Sequence, residues 1–209
     1  MRTHTKKSQS ELTPQEALDF LKEGNQRFVG NLRANRNLLN QVNETSDGQF
    51  PFAMILSCID SRTSVELIFD QGLGDVFSAR VAGNIVNEDI LGSMEYAIKY
   101  AGSKLIVVLG HSKCGAITSA CNHVRDGNIT ALLHKIKPAI DKETSTSKEN
   151  RSGSNEIFVN NVTELNVIHA LEEIKERSDI IMDFINEGKV KLVGGVYNVE
   201  SGEVIFFED

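Results

Sequence analysis

Three short apolar runs, Phe52-Ala-Met-Ile-Leu-Ser-Cys58, Val76-Phe-Ser-Ala-Arg-Val81 and Lys104-Leu-Ile-Val-Val-Leu-Gly110, are separated by stretches with helical spacing. Strand-like runs that alternate with helical ones need crossover connections, so the strands lie parallel and the helices cover the sheet. Leu105 to Leu109 is apolar without a break, as a strand buried on both faces requires. The intervening helices are expected over Ser64 to Asp70 and Asp89 to Tyr100, with another beginning near Lys113. Helical patterns return through Ala170-Leu-Glu-Glu-Ile-Lys and Ile180-Ile-Met-Asp-Phe-Ile, with Gly188 as a C-terminal cap. Lys191 to Val199 and Glu203 to Phe207 then read as two strands joined across Glu200-Ser-Gly202. The fold class is α/β: a mostly parallel central sheet flanked by helices, with an N-terminal helical arm.

That arm is announced by Thr13-Pro14-Gln15-Glu16, a capping box with proline at the first helical position, and should run to about Gly30. Leu18, Leu21 and Phe28 recur along it at helical spacing. The ten residues at the start are polar and read as a flexible tail, and Asn31 to Gln49 as an extended connection. Asp141 to Glu156, rich in Ser, Thr and Asn, reads as a mobile surface loop. With 209 residues, one domain is expected over 1–209: tail, arm and connection over 1–49, and an α/β core over 50–209.

Charge narrows the partners. The chain has 22 Lys and Arg against 29 Asp and Glu, a formal charge of -7, and no basic block beyond Lys6-Lys7. Nucleic acid is therefore not an expected partner. No apolar run reaches membrane-span length and the start lacks a secretory core, so a cytoplasmic protein without a membrane partner is expected. Three cysteines do not make a disulfide framework, which leaves metal binding or plain burial to account for them.

Two of those cysteines stand at expected strand ends. Cys58 and Asp60 are two apart after the first run, where alternate side chains of a strand point the same way. His111 and Cys114 are three apart where another strand gives way to a helix, a spacing that shares one face of a helical turn. Parallel neighbours would bring both pairs to the carboxyl ends of the sheet, where open α/β folds place their ligand crevices. Thiolates and imidazole suit tetrahedral zinc, with a carboxylate able to occupy or vacate the fourth position. The bland alternative is two buried cysteines, a capping Asp and a satisfied core His. Cys121, seven residues after Cys114, is expected to be buried and not a ligand, and Lys113 to be a solvated helix-start residue. Gly83 is read as a turn glycine whose backbone borders the cleft.

Cys58-Ile-Asp-Ser-Arg62, Ala82-Gly-Asn84 and Gly110-His-Ser-Lys-Cys-Gly115 together resemble the β-class carbonic anhydrases. The resemblance runs from the N-terminal helix to Val196-Tyr-Asn-Val-Glu-Ser-Gly202 and is weakest over Asp141 to Glu156. It implies one zinc per chain on Cys58, His111 and Cys114, with Asp60 and Arg62 as the catalytic pair and Asp60 able to enter the metal's fourth position. It further implies hydration of carbon dioxide to bicarbonate by a homodimer or higher homo-oligomer, with the Thr13 to Gly30 helix reaching across to the partner. A subgroup of that family is similar to this chain in having Arg80 and Tyr197, which there help form a noncatalytic bicarbonate pocket, but Ile55 stands where that subgroup has tryptophan. Ile59, Thr63-Ser64 and Ala116 also depart from the common pattern without removing a catalytic group. Two rivals share the ligand set: a hydrolase of carbon disulfide or carbonyl sulfide, and a catalytically silent protein whose zinc is closed by Asp60.

Overall fold

The structure, a computed structural model, describes residues 3–207. Its helices are α1 (Lys6–Glu11), α2 (Pro14–Val29), α3 (Leu38–Glu44), α4 (Val65–Ile68), α5 (Glu88–Lys99), α6 (Gly115–Cys121), α7 (Gly127–His134), α8 (Lys137–Lys142), α9 (Glu156–Arg177) and α10 (Asp179–Asn186). The strands are β1 (Ala53–Ser57), β2 (Val76–Arg80), β3 (Leu105–His111), β4 (Lys191–Tyr197) and β5 (Val204–Phe206). They form one sheet in the order β2-β1-β3-β4-β5, parallel from β2 to β4, with β5 antiparallel at the edge. All three apolar runs contain strands of this sheet, as their composition requires. No helix among the described residues is long and apolar enough to cross a membrane.

Side chains of alternating strand positions feed two cores. Met54, Leu56, Ile106, Val108 and Leu192 face one way, against Met94 and Ile98 of α5, Val167 and Ile174 of α9 and Ile181 of α10. Ala53, Ile55, Leu105, Val107, Leu109 and Val193 face the other way, against Ala17, Leu18 and Leu21 of α2 and Ile68 of α4. The chain passes from β1 to β2 on one side of β1, then returns past it to β3, so the strand order reverses between β1 and β3. Such a reversal opens a crevice at the carboxyl ends of the two strands.

Helix α2 begins as its sequence dictates: the Thr13 amide donates to Glu16 Oε2 at 2.8 Å and the Glu16 amide to Thr13 Oγ1 at 3.2 Å. Its apolar residues Ala17, Leu18 and Leu21 pack on this chain's own sheet. Three polar stretches differ from expectation. Met1 and Arg2 lie outside the described residues, but the tail read as flexible contains α1, capped reciprocally by Thr5 and Ser8. Its Gln9 side chain is buried and donates to the carbonyls of Pro51 at 2.7 Å and Ala101 at 2.8 Å.

The connection read as extended contains α3, whose Gln41 is buried and accepts from the Leu73 amide at 3.2 Å. In the segment read as a mobile loop, Glu143 is buried and accepts hydrogen bonds from Ser145, Thr146 and Asn161 and an ion pair from Arg151 at 2.8 Å. Burial alone would raise its carboxyl, but these donors hold it below the ordinary range. A buried, fully engaged carboxylate anchors the loop to α8 and α9. Gly188, at φ +67°, ends α10 as expected of a left-handed cap.

Candidate metal centre

Cys58 follows β1 by one residue, His111 is the last residue of β3, and Cys114 is the N-cap of α6. Because β1 and β3 are hydrogen-bonded neighbours with Ser57 opposite Leu109, the crevice gathers all three. Their ligating atoms lie within 4.8 Å of one another, and each residue is buried. The route to Cys114 is not the simple helical turn suggested by the spacing. Lys113 intervenes at φ +55°, and this left-handed residue turns the chain so that Cys114 points back at His111. Lys113 itself is exposed and pairs with Glu200 at 2.6 Å.

The atoms fit a tetrahedral metal. The Sγ atoms of Cys58 and Cys114 are 4.0 Å apart, far beyond a disulfide. Two thiolates on one zinc, each at about 2.3 Å and near the tetrahedral angle, would be about 3.8 Å apart. His111 Nδ1 lies 2.9 Å from the Ser112 carbonyl, which can only accept, so the ring proton sits on Nδ1. Nε2 is then a lone-pair donor, and it is buried without a hydrogen-bond partner. An orphaned imidazole nitrogen facing two sulfurs costs free energy unless something electrophilic takes its lone pair. The bland reading of a satisfied core histidine therefore does not describe His111.

Charge is managed from the backbone. The contact between the two sulfurs lowers the Cys58 thiol and pushes that of Cys114 up. The amides of Gly83, at 3.4 Å, and Asp60 also face Cys58 Sγ. The Gly83 backbone thus borders the site, as read from the sequence. Cys121 is buried among apolar neighbours, stands outside the ligand group, and has its thiol pushed up to about 11 by burial.

Asp60 and Arg62 lie beyond the end of β1, in a turn closed by the Thr63 amide on the Asp60 carbonyl at 3.0 Å. Strand alternation therefore does not align Cys58 with Asp60; the turn does. Arg62 grips the carboxylate with Nε on Oδ1 at 2.9 Å and Nη2 on Oδ2 at 2.8 Å, while its own amide adds a third bond at 2.9 Å. These contacts hold the Asp60 carboxyl well below the usual carboxylate range. The carboxylate is turned to Arg62, and the group able to hold a metal is Cys58, His111 and Cys114 without it.

The profile of the carbonic anhydrase family matches residues 53–204. Among solved structures, the β-carbonic anhydrase CafA of Aspergillus fumigatus superposes with a TM-score of 0.74 over 93% of this chain and 90% of its own, at 24% identity. The chain belongs to the β-carbonic anhydrases. Carbonic anhydrase 2 of Mycobacterium tuberculosis is 34% identical to it, over 92% of both chains. The carbonic anhydrase of Mycolicibacterium smegmatis is 32% identical, over 91% of this chain and 92% of its own. The family is one of enzymes, and the segments that carry Cys58 and His111–Cys114 meet in this chain at the reversal of strand order.

Within this β-carbonic anhydrase, sequence reasoning missed how Arg80 and Thr63 are used. The Arg80 guanidinium donates to the carbonyls of Cys58 and Asp60 and to Thr63 Oγ1. Arg80 lies opposite Ser57 in the β1–β2 register, which places it beside the turn. The signal was the register, and no single-strand pattern carries it. Tyr197 lies opposite His111 on β4, and burial raises its phenol.

Proposed function

We propose that the chain catalyses reversible hydration of carbon dioxide to bicarbonate and a proton, with zinc held by Cys58, His111 and Cys114. The observation that carries this reading is the partnerless Nε2 of His111 facing two sulfurs 4.0 Å apart. When bound there, zinc supplies the Lewis acidity that makes water a nucleophile towards carbon dioxide. The Ser112 carbonyl fixes the His111 ring, and the Gly83 and Asp60 amides brace the Cys58 thiolate. Asp60 offers an ionised, oriented acceptor for a proton of the reacting water. Arg62 holds that carboxylate away from the ligands, which supports an open fourth position over a zinc closed by Asp60. The relatives reported above are carbonic anhydrases, and nothing in the site favours the sulfur-substrate alternative.

Assembly as a homodimer or larger is supported by the segment after α2. Leu32, Leu38, Leu39 and Val42 are exposed there within eleven positions, Leu39 at 77%, a density of apolar surface that marks association. Stopped-flow hydration of carbon dioxide by the zinc-loaded chain tests the activity. Turnover that disappears together with bound zinc in Cys58→Ser supports the reading. A zinc-loaded native chain without turnover would overturn it.

A further inference from the structure

We infer that Arg80 and Thr63 are positioning residues that preorganise Asp60 and Cys58, acting from outside the ligand set and the catalytic pair. The inference rests on the proposed hydration reaction for its kinetic readout but not for its geometry. Every polar handle of Asp60 is held: its carboxylate by Arg62, its amide against Cys58 Sγ, and its carbonyl by Arg80 and Thr63. The Cys58 carbonyl receives the same pair of donors, Arg80 Nε at 3.0 Å and Thr63 Oγ1 at 2.9 Å.

One hydroxyl proton cannot serve both carbonyls at once. Thr63 Oγ1 lies 2.9 Å from each, so Arg80 must supply the remaining donors, and it also donates to Thr63 Oγ1 at 3.2 Å. A planar fork with its donors in fixed relation can satisfy all three acceptors, whereas a lysine ammonium on its flexible stem cannot hold them in one plane. Thr63 is 1% exposed, so water is a poor substitute for its hydroxyl. The carbonyls on either side of Ile59 are therefore tied to β2, and with them the direction of one ligand and of the proton acceptor. Groups that orient a ligand in this way typically matter by about 10- to 100-fold in affinity or activity.

The test uses Arg80→Met, Arg80→Lys, Thr63→Val and Thr63→Ser, each loaded with zinc for kinetics and with cobalt for its visible spectrum. Arg80→Met and Thr63→Val are expected to keep about one metal per chain while kcat falls by about 10- to 100-fold, KM stays nearly unchanged and the cobalt bands shift. Thr63→Ser should restore most of the native spectrum and rate, and Arg80→Lys only part. Native kcat and native cobalt bands in Arg80→Met would overturn the inference. So would equal losses in Thr63→Ser and Thr63→Val, which would reduce the role to general packing. If the native zinc protein does not hydrate carbon dioxide, the function fails separately, and the cobalt spectra of the four variants still decide the positioning claim.

Discussion

His111 presents Nε2 because its Nδ1 proton is taken by the Ser112 carbonyl, and Asp60 presents a fixed carboxylate because Arg62 takes both of its oxygens. Removing Arg62 leaves the proposed ligands Cys58, His111 and Cys114 intact but frees the carboxylate to turn towards them. Arg62→Ala is expected to bind metal as the native chain does and to lose about 10- to 100-fold in kcat. Arg62→Lys should recover only part, because a point charge does not fix the plane of a carboxylate. Metal analysis and initial rates on the same samples check this, and native kcat in Arg62→Ala would contradict it. The residue types and spacings of Cys58, His111 and Cys114 were readable in the sequence because strand ends bring them together. The left-handed turn at Lys113 was not, since it has no glycine or Asn-Gly signal; the turn at Asp60–Thr63 was signalled by Asp60, whose Oδ1 accepts from the Arg62 amide, but strand alternation was read there instead.

At the scale of elements, the segment from α2 to α4 is held by Asp70. It is 8% exposed and bonded to Arg27 Nε at 2.5 Å, Arg36 Nη1 at 2.6 Å and the Ala34 amide at 2.9 Å. Asp70→Ala breaks this buried ion pair and should cost about 3 to 5 kcal/mol, measured by urea unfolding. Burial raises the Asp70 carboxyl, but its three donors outweigh burial and keep it below the ordinary value. Its stabilising share is therefore complete above the unfolded carboxylate pKa of about 3.9 and is lost as the pH falls from there through the lower folded value. The unfolding free energies of native chain and variant should converge in acid.

Gly24, inside α2, makes an opposing-effects test. In an isolated helix Gly→Ala gains about 1 kcal/mol, but here a Cβ would sit on the Phe69 carbonyl oxygen. Gly24→Ala should be destabilising by about 1 to 3 kcal/mol, and a stabilised variant would show that α2 and α4 are not in close contact. The apolar strands and α2 were legible because their patterns record burial. Helices α1 and α3 were not, because each docks through one buried glutamine, Gln9 and Gln41, instead of an apolar stripe.

For the whole molecule, the two cores, the reversal between β1 and β3 and the crevice it opens follow from one alternation of strands and helices. The parallel, helix-flanked sheet and a crevice at its carboxyl ends were readable in the sequence; the order β2-β1-β3-β4-β5 that sets the reversal was not. An amphipathic stripe does not say whose sheet it covers, and that of α2 packs Ala17, Leu18 and Leu21 on its own. The exposed Leu38 and Leu39 give a better handle on assembly. Leu38→Asp with Leu39→Asp should shift sedimentation from a dimer or larger to a monomer, and an unchanged sedimentation coefficient would move the interface elsewhere. The central claim is that the crevice holds one zinc on two sulfurs and one imidazole. X-ray absorption at the zinc edge of the purified, metal-loaded chain tests it most directly. Two sulfur scatterers at about 2.3 Å and a nitrogen at about 2.0 to 2.1 Å are the result expected, and a zinc shell with fewer than two sulfurs would contradict it.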